Sequence, residues 1–382
     1  MEIFYTKIEQ LIKWIERFLL KKKYPGITVA VICTIAAFVF YFPDYDNMVH
    51  DDDIRQIFVD EQIQNPFNKI DYVKYPPHTH WAKRQYRITL PVIGHVFGFT
   101  ARQILFFQQL FLPLFFFFAF KIFMSIKNDI VSAFLMTIAF SMVYVSKSFL
   151  IHYTFFDCYS YLCIIVLLSS KNPVILILFT ILNCFTDERG LLAMGLVLIW
   201  SFLREDKTLF SLKSLEIKAS TLYLTLGIIS YVSLRLYLKL FVIGSEIPLS
   251  DKTYVGLQTM RDNFNMIPLV LLETLEGFWL PVLITLVLLI LKKKYIITLI
   301  ISGAFSIILL AGLSVHDMLR SVTYVFPIVF IAYYFLTKEL KLNEVRNIAF
   351  FAMLLCFIIP TYFIADKTDL LSPIFPKILK WL

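Results

Sequence analysis

The sequence predicts an all-α polytopic membrane protein with about eleven transmembrane helices. Three observations carry that prediction. Of 382 residues, 59% are apolar and only 17% charged, with a mean hydropathy of +0.74. A soluble domain averages about 45–50% apolar and about 25% charged residues, so the apolar excess must face lipid. Second, the apolar residues fall into runs near the ~17–25 residues that a membrane helix needs. Third, lysine and arginine gather in alternate short connections, as the positive-inside rule requires.

Taken in order, residues 1–23 place Phe4, Ile8, Leu11, Ile12, Ile15, Phe18 and Leu19 on one helical stripe with charges opposite. The segment 1–26 is therefore expected as an amphipathic helix on the cytoplasmic membrane surface. The apolar run that follows has no small-x-small cleavage site, so no signal peptide is expected. Spans are expected near 27–43, 101–124, 130–147, 155–170, 172–186, 190–203, 221–242, 266–291, 295–315, 319–336 and 348–365. Together they make one transmembrane module, 27–365, followed by an outer tail, 366–382. Its one long polar connection is the first outer loop, 44–100. Within that loop, 88–99 carries Pro91 and Gly94, is too short to cross, and reads as an interfacial or re-entrant helix. No internal repeat is visible.

With the N-terminus in the cytoplasm, the inner connections hold 19 basic residues against 9 acidic, and the outer ends 17 against 19. If 88–99 crossed, Lys292 to Lys294 would move outside, against the rule. The net charge of +8 is thus a topology signal. The expected partner is a lipid bilayer, with a bacterial inner (plasma) membrane as the location, and no nucleic acid. The five cysteines lie inside apolar runs without CxxC spacing, which marks them as packing residues.

This topology gathers polar residues at outer helix ends. They include all six histidines, Asp157, Asp187-Glu188-Arg189, Glu273, Glu276 and His316-Asp317-x-x-Arg320. Charged groups at membrane depth cost a few kcal/mol each on insertion scales, so the set implies a polar outer cavity. The plainer alternative is a collection of solvated loops and helix caps. The densest signal is Asp44, Asp46, His50 and Asp51-Asp52-Asp53, ahead of a helical segment 54–64. There Ile54, Ile57 and Phe58 share one face, leaving Asp53, Gln56 and Asp60 toward solvent or a cavity. Adjacent carboxylates raise one another's pKa, which suits a general base or a cation site. The same acids would also serve as a helix N-cap.

After Asp52-Asp53 come Lys74-Tyr75-Pro76-Pro77-His78-Thr79-His80-Trp81 and then Phe97-Gly98-Phe99-Thr100-Ala101-Arg102. In this order the chain resembles the GT-C superfamily of polyprenyl-phosphate-sugar glycosyltransferases, in its protein O-mannosyltransferase and lipid A aminoarabinose transferase branches. The motifs cover about residues 27–105, and the rest is similar by topology alone. One extra residue separates Lys74 from the prolines, no large soluble C-terminal domain follows, and the cluster Lys83-Arg84-Gln85-Tyr86-Arg87 has no counterpart in those branches.

The resemblance implies transfer of a sugar from a polyprenyl-phosphate donor to a glycan, lipid or protein acceptor at the outer face. The phosphate leaves readily, so the acceptor hydroxyl needs only a base, and attack opposite it inverts the anomeric centre, as in inverting glycoside hydrolysis. Asp52 or Asp53 is the expected base, with Asp44 and Asp46 in reserve. Asp51, His80, Lys83, Arg84, Arg87, His152, Asp187, Glu188, Arg189, Glu273, His316, Asp317 and Arg320 are the expected substrate-binding set. Its arginines suit the donor phosphate by bidentate hydrogen bonding. Each has a plainer role beside it: Arg189 pairing with Glu188 or Asp187, and Arg320 with Asp317. No metal site is assigned. A divalent ion at His78 and His80 is the one candidate cofactor, and its ligand spacing falls short of a motif. A lipid-linked glycan polymerase or ligase, a transporter or flippase of lipid-linked sugars, and a non-catalytic membrane subunit are the competing readings.

Overall fold

Prolines in first turns and side-chain caps set several of the helix starts. Pro25, Pro173 and Pro268 begin helices where a missing N–H costs nothing. Asn172 accepts from Val174 and Ile175, Asp129 accepts from Ser132, and Thr100 forms a capping box with Gln103. The computed structural model describes residues 2–43, 45, 54–69, 71, 73–74, 84–151, 156–205, 219–243, 256–359, 362–364 and 368–370.

Among these residues helices dominate. They are α1 (Glu2–Leu20), α2 (Pro25–Phe40), α3 (Ile54–Gln64), α4 (Thr89–Phe97), α5 (Ala101–Ile126), α6 (Ile130–Phe140), α7 (Tyr144–Lys147), α8 (Asp157–Ser169) and α9 (Pro173–Thr186). There follow α10 (Gly190–Glu205), α11 (Ala219–Tyr237, continued by a π-helical turn Leu238–Ile243), α12 (Leu257–Asp262), α13 (Ile267–Leu275), α14 (Trp279–Leu291), α15 (Tyr295–Leu313), α16 (Met318–Val322), α17 (Ile328–Glu339) and α18 (Leu342–Ile358). Five stretches are long and apolar enough to cross a membrane: Ala101–Ile126, Ala219–Ile243, Phe264–Leu291, Tyr295–Leu313 and Met318–Glu339. The chain is accordingly a membrane protein. Shorter apolar helices, Pro25–Phe40, Ile130–Phe140, Asp157–Ser169 and Pro173–Thr186, lie at four more of the expected positions.

Four expectations need correction. The run 130–147 is not one helix: α6 stops at Phe140, and α7 is a single turn ending at Lys147. The run 266–291 breaks at Glu276, whose φ of 46° no α-helix permits. The last span ends at Ile358 rather than 365, and a short antiparallel hairpin, β1 (Tyr362–Ile364) and β2 (Thr368–Leu370), follows with Tyr362 opposite Leu370. On α3, Gln56, Val59 and Ile63 face inward while Ile57 is 38% exposed. The cause is a small core in which Phe58, Val59 and Ile63 pack with Leu90 of α4 and Ala101, Ile104 and Leu105 of α5. Asp60 caps α5 by accepting from the N–H of Ala101 at 2.7 Å. Gly98, with φ of 70°, ends α4 and turns the chain into α5.

The main core is aromatic and lies between α5, α6 and α17. Phe123 and Phe330 approach to 4.7 Å between ring centroids, and Phe140 and Phe278 to 4.5 Å. Helix α1 buries Ile12, Ile15 and Leu19 against the bundle and leaves Leu11 and Trp14 exposed. Arg346 of α18 pins it, holding Glu16 at 2.8 Å and Asp129 at 2.5 Å.

Candidate functional site

Four segments converge at one end of the bundle: 84–87 ahead of α4, Asp157 at the start of α8, the turn 187–189 between α9 and α10, and 317–321 at α16. Alternating spans put all four on the same side in the sequence reading. Gln62 of α3 fixes the first segment by donating to the backbone carbonyl of Gln85 at 3.1 Å. Thr89 donates to Leu182 of α9 at 3.0 Å.

The side chains form an alternating chain of ion pairs. Arg87 holds Glu188 with a fork, Nε to Oε2 at 3.0 Å and Nη2 to Oε1 at 2.8 Å, and reaches Asp187 at 2.9 Å. Arg189 forks onto Asp187, Nε at 2.7 Å and Nη2 at 2.5 Å, and Nη2 also meets Asp157 at 2.9 Å. Arg320 forks onto Asp157 from Nε at 2.6 Å and Nη2 at 3.2 Å, with Nη1 on Asp317 at 2.6 Å. Asp157 is thus the shared acid of two guanidiniums. Ser321 accepts from Arg189 and donates to the carbonyl of Asp317. The Tyr324 ring lies 5.5 Å from the Arg189 guanidinium, a cation–π distance. Buried Arg84 is an electrostatic neighbour of Arg87, Arg320, Asp157 and Asp187. The described groups therefore balance: Arg84, Arg87, Arg189 and Arg320 against Asp157, Asp187, Glu188 and Asp317.

Burial alone would raise the Asp187 carboxyl, and the Arg189 and Arg87 guanidiniums outweigh it and hold Asp187 well below the usual carboxylate range. Desolvation works to raise Glu188 too, and Arg87 lowers it. Desolvation works to lower Arg87, and Asp187 and Glu188 overcome it, so this guanidinium is raised. Beside Arg84 and Arg87 lies a cavity of about 10 Å³, also lined by Val59, Gln62, Leu90 and Phe156. It has room for about one water.

A second ionic group sits where two broken helices meet. Lys147 of α7 has Glu276 and then Glu273 as its electrostatic neighbours. All three are buried, at 5%, 2% and 1% exposure. Gly277 permits this break by packing on α18, where a Cβ would overlap the carbonyl oxygen of Ala352.

Of the expected set, the structure brings Arg84, Arg87, Asp187, Glu188, Arg189, Asp317 and Arg320 together. His316 is half-buried just ahead of Asp317. Glu273 belongs to the second group, inside the protein rather than at an outer opening. Asp44, Asp46, Asp51, Asp52, Asp53, His80, Lys83 and His152 lie outside the described residues, as does His78 of the candidate metal pair. Lys74 is described, and its ammonium pairs with Glu61 of α3. No group of three metal-ligating side chains occurs among the described residues. Sequence reasoning missed Asp157 as the shared acid and Lys147 altogether. The one available signal for Lys147 was a lone lysine between Ser146 and Ser148 in an apolar run.

No family model matches the chain, and no curated protein or solved structure matches it either.

Proposed function

We propose that this protein is a GT-C-type membrane glycosyltransferase with about eleven spans and its N-terminus in the cytoplasm of a bacterial cell. It transfers a sugar from a polyprenyl-phosphate donor to an acceptor hydroxyl at the outer face of the inner membrane. The observation that carries this reading is the Arg87–Glu188 fork beside the cavity that Arg84 and Arg87 line. A carboxylate gripped by two guanidinium N–H groups is the geometric stand-in for a phosphate. The Glu188 side chain is 38% exposed, against 0% for Asp187. A donor phosphate therefore has one carboxylate to displace, and Arg84 stands beside it as a second cation.

Asp52 or Asp53 is the base. It takes the acceptor proton, the hydroxyl oxygen attacks the anomeric carbon, and the phosphate leaves with the bonding electron pair. A second reading, a transporter of lipid-linked sugars, is favoured by the break at Glu276 inside the stretch 264–291, because discontinuous helices with buried charges are a transporter device.

Asp52→Asn and Asp53→Asn proteins in proteoliposomes, given a radiolabelled polyprenyl-phosphate sugar, test the proposal. One of them should lose about 10²–10⁴-fold in transfer rate. Asn caps a helix about as well as Asp, so normal rates in both would remove these acids from the chemistry. Movement of intact donor across the vesicle, without transfer, would select the second reading.

A further inference from the structure

Helix α11 carries two cations one turn apart, Arg235 and Lys239, within the membrane-crossing stretch Ala219–Ile243. That stretch turns much of its surface away from the bundle, with Val232, Leu234, Leu236, Tyr237, Leu240 and Phe241 exposed. In a membrane these side chains face lipid. With Ala219 at one interface, the helical rise places Arg235 about 24 Å across a hydrocarbon layer of ~30 Å. Its backbone therefore lies just beneath the headgroups of the other leaflet.

An arginine at such a depth ordinarily snorkels, sending its charge outward to water. Arg235 turns back instead. Its Nη1 donates to the hydroxyl of Tyr231, one turn deeper in the helix. The guanidinium lies 4.9 Å from the ring centroid of Tyr86 and 5.9 Å from that of Tyr231, both within cation–π range. Both tyrosines are buried. Tyr86 belongs to the segment that carries Arg84 and Arg87. Tyr231 packs edge-on against Phe185 of α9 at 4.8 Å between centroids. The two rings are thus fixed by different elements, and they hold a half-buried guanidinium on the lipid-facing flank of the bundle.

This cradle has no anion. Arg87, Arg189 and Arg320 each grip carboxylates, whereas among the described residues no carboxylate pairs with Arg235. A guanidinium has five N–H donors, and Tyr231 occupies one of them. Lys239, exposed on the following turn, adds a second cation closer to the headgroups. Beside the two cations run the exposed side chains of Leu236 and Leu240. Open donors above an apolar wall suit a phosphate group attached to acyl chains. A zwitterionic lipid brings its own ammonium to such a site, so a net-anionic one compensates the pair better.

We propose that Arg235 and Lys239 form a binding site for one net-anionic phospholipid of the bilayer. Its phosphate sits on the guanidinium that Tyr86 and Tyr231 cradle, and its acyl chains lie along the exposed face of α11.

Native mass spectrometry of the full chain, released from micelles supplemented with phosphatidylglycerol or phosphatidylcholine, tests the site. The wild type should hold one phosphatidylglycerol about 10-fold more tightly than phosphatidylcholine, and Arg235→Met should remove that preference. Lys239→Met should weaken it about 5-fold. Lys171→Met, exposed at the opposite end of α8 from Asp157, should leave it unchanged. Equal wild-type affinity for the two lipids overturns the site, and that measurement decides even if Arg235→Met fails to fold. A preference that survives Arg235→Met overturns it as well. Displacement of the lipid by millimolar inorganic phosphate would make this a free-anion site, and tighter binding of a polyprenyl phosphate would assign the cations to the donor. Either result also overturns the phospholipid site. None of these readouts involves sugar transfer, so the site stands or falls separately from the glycosyltransferase reading.

Discussion

Two buried ionic groups lie in this bundle, one at a junction between segments and one at a bend within a segment. The chain from Glu188 to Asp317 pairs each acid with a guanidinium at 2.5–3.2 Å, largely through forks, and its described charges cancel. The group of Lys147, Glu273 and Glu276 is buried where the stretch 264–291 breaks, with Glu276 at a φ of 46°. The first joins four segments that are far apart in sequence, and the partly exposed Glu188 gives it an open end. The second has no member on the surface. The difference shows that burial of charge alone does not say what a charged group does.

The comparison breaks first at Asp157. Asp157→Asn leaves Arg189 and Arg320 without their shared acid, and loss of a buried partner costs about 3–5 kcal/mol. Denaturant unfolding of the purified protein should show a loss of that size, and a change below about 1 kcal/mol would mean the chain is solvated. Gly277→Ala should come next. Its new Cβ overlaps the Ala352 carbonyl, and overpacking typically costs about 1–3 kcal/mol, read as a lower melting temperature.

Acid sharpens the contrast more gently. The folded pKa values of Asp187 and Glu188 lie below their ordinary values. Their stabilising contribution is therefore fully present above the unfolded carboxylate pKa of about 4 and is lost as pH falls below it. Thermal stability should hold from pH 7 to about 5 and decline below about 4. A decline that begins near pH 6 would contradict the assignment. The smallest effect is expected at Lys74→Met, which removes an exposed partner of Glu61. The stability cost should be about 1 kcal/mol or less, far under that of Asp157→Asn.

Much of this was legible in the sequence. Apolar run lengths placed the helices, and alternation across the membrane put residues 84–87, 157, 187–189 and 317–320 at one end before any contact was known. Two things were not legible. Pairing depends on rotamers fixed by neighbours: Asp187-Glu188-Arg189 reads as a local triplet, yet Arg87, a hundred residues earlier, takes Glu188. Breaks inside apolar runs were hidden because hydropathy does not register backbone angles. Leu275-Glu276-Gly277 offers a glycine, but only contact with α18 shows that the helix must yield there. The face of α3 was misread for a similar reason. The apolar partners in α4 and α5 turn Val59 and Ile63 inward, and Gln56 follows.

The Arg346 clamp has a consequence for synthesis. Its two acids, Glu16 and Asp129, precede the arginine by 330 and 217 residues. At ~5–20 residues per second, Asp129 emerges from the ribosome about 10–40 s before the guanidinium that will hold it. During that interval α1 has its apolar stripe but no latch, and α6 lacks its ionic partner. The clamp therefore closes only after α18 has been made. It acts as a completion mark, and a truncated or stalled chain would present an unlatched first helix to the cell's proteases.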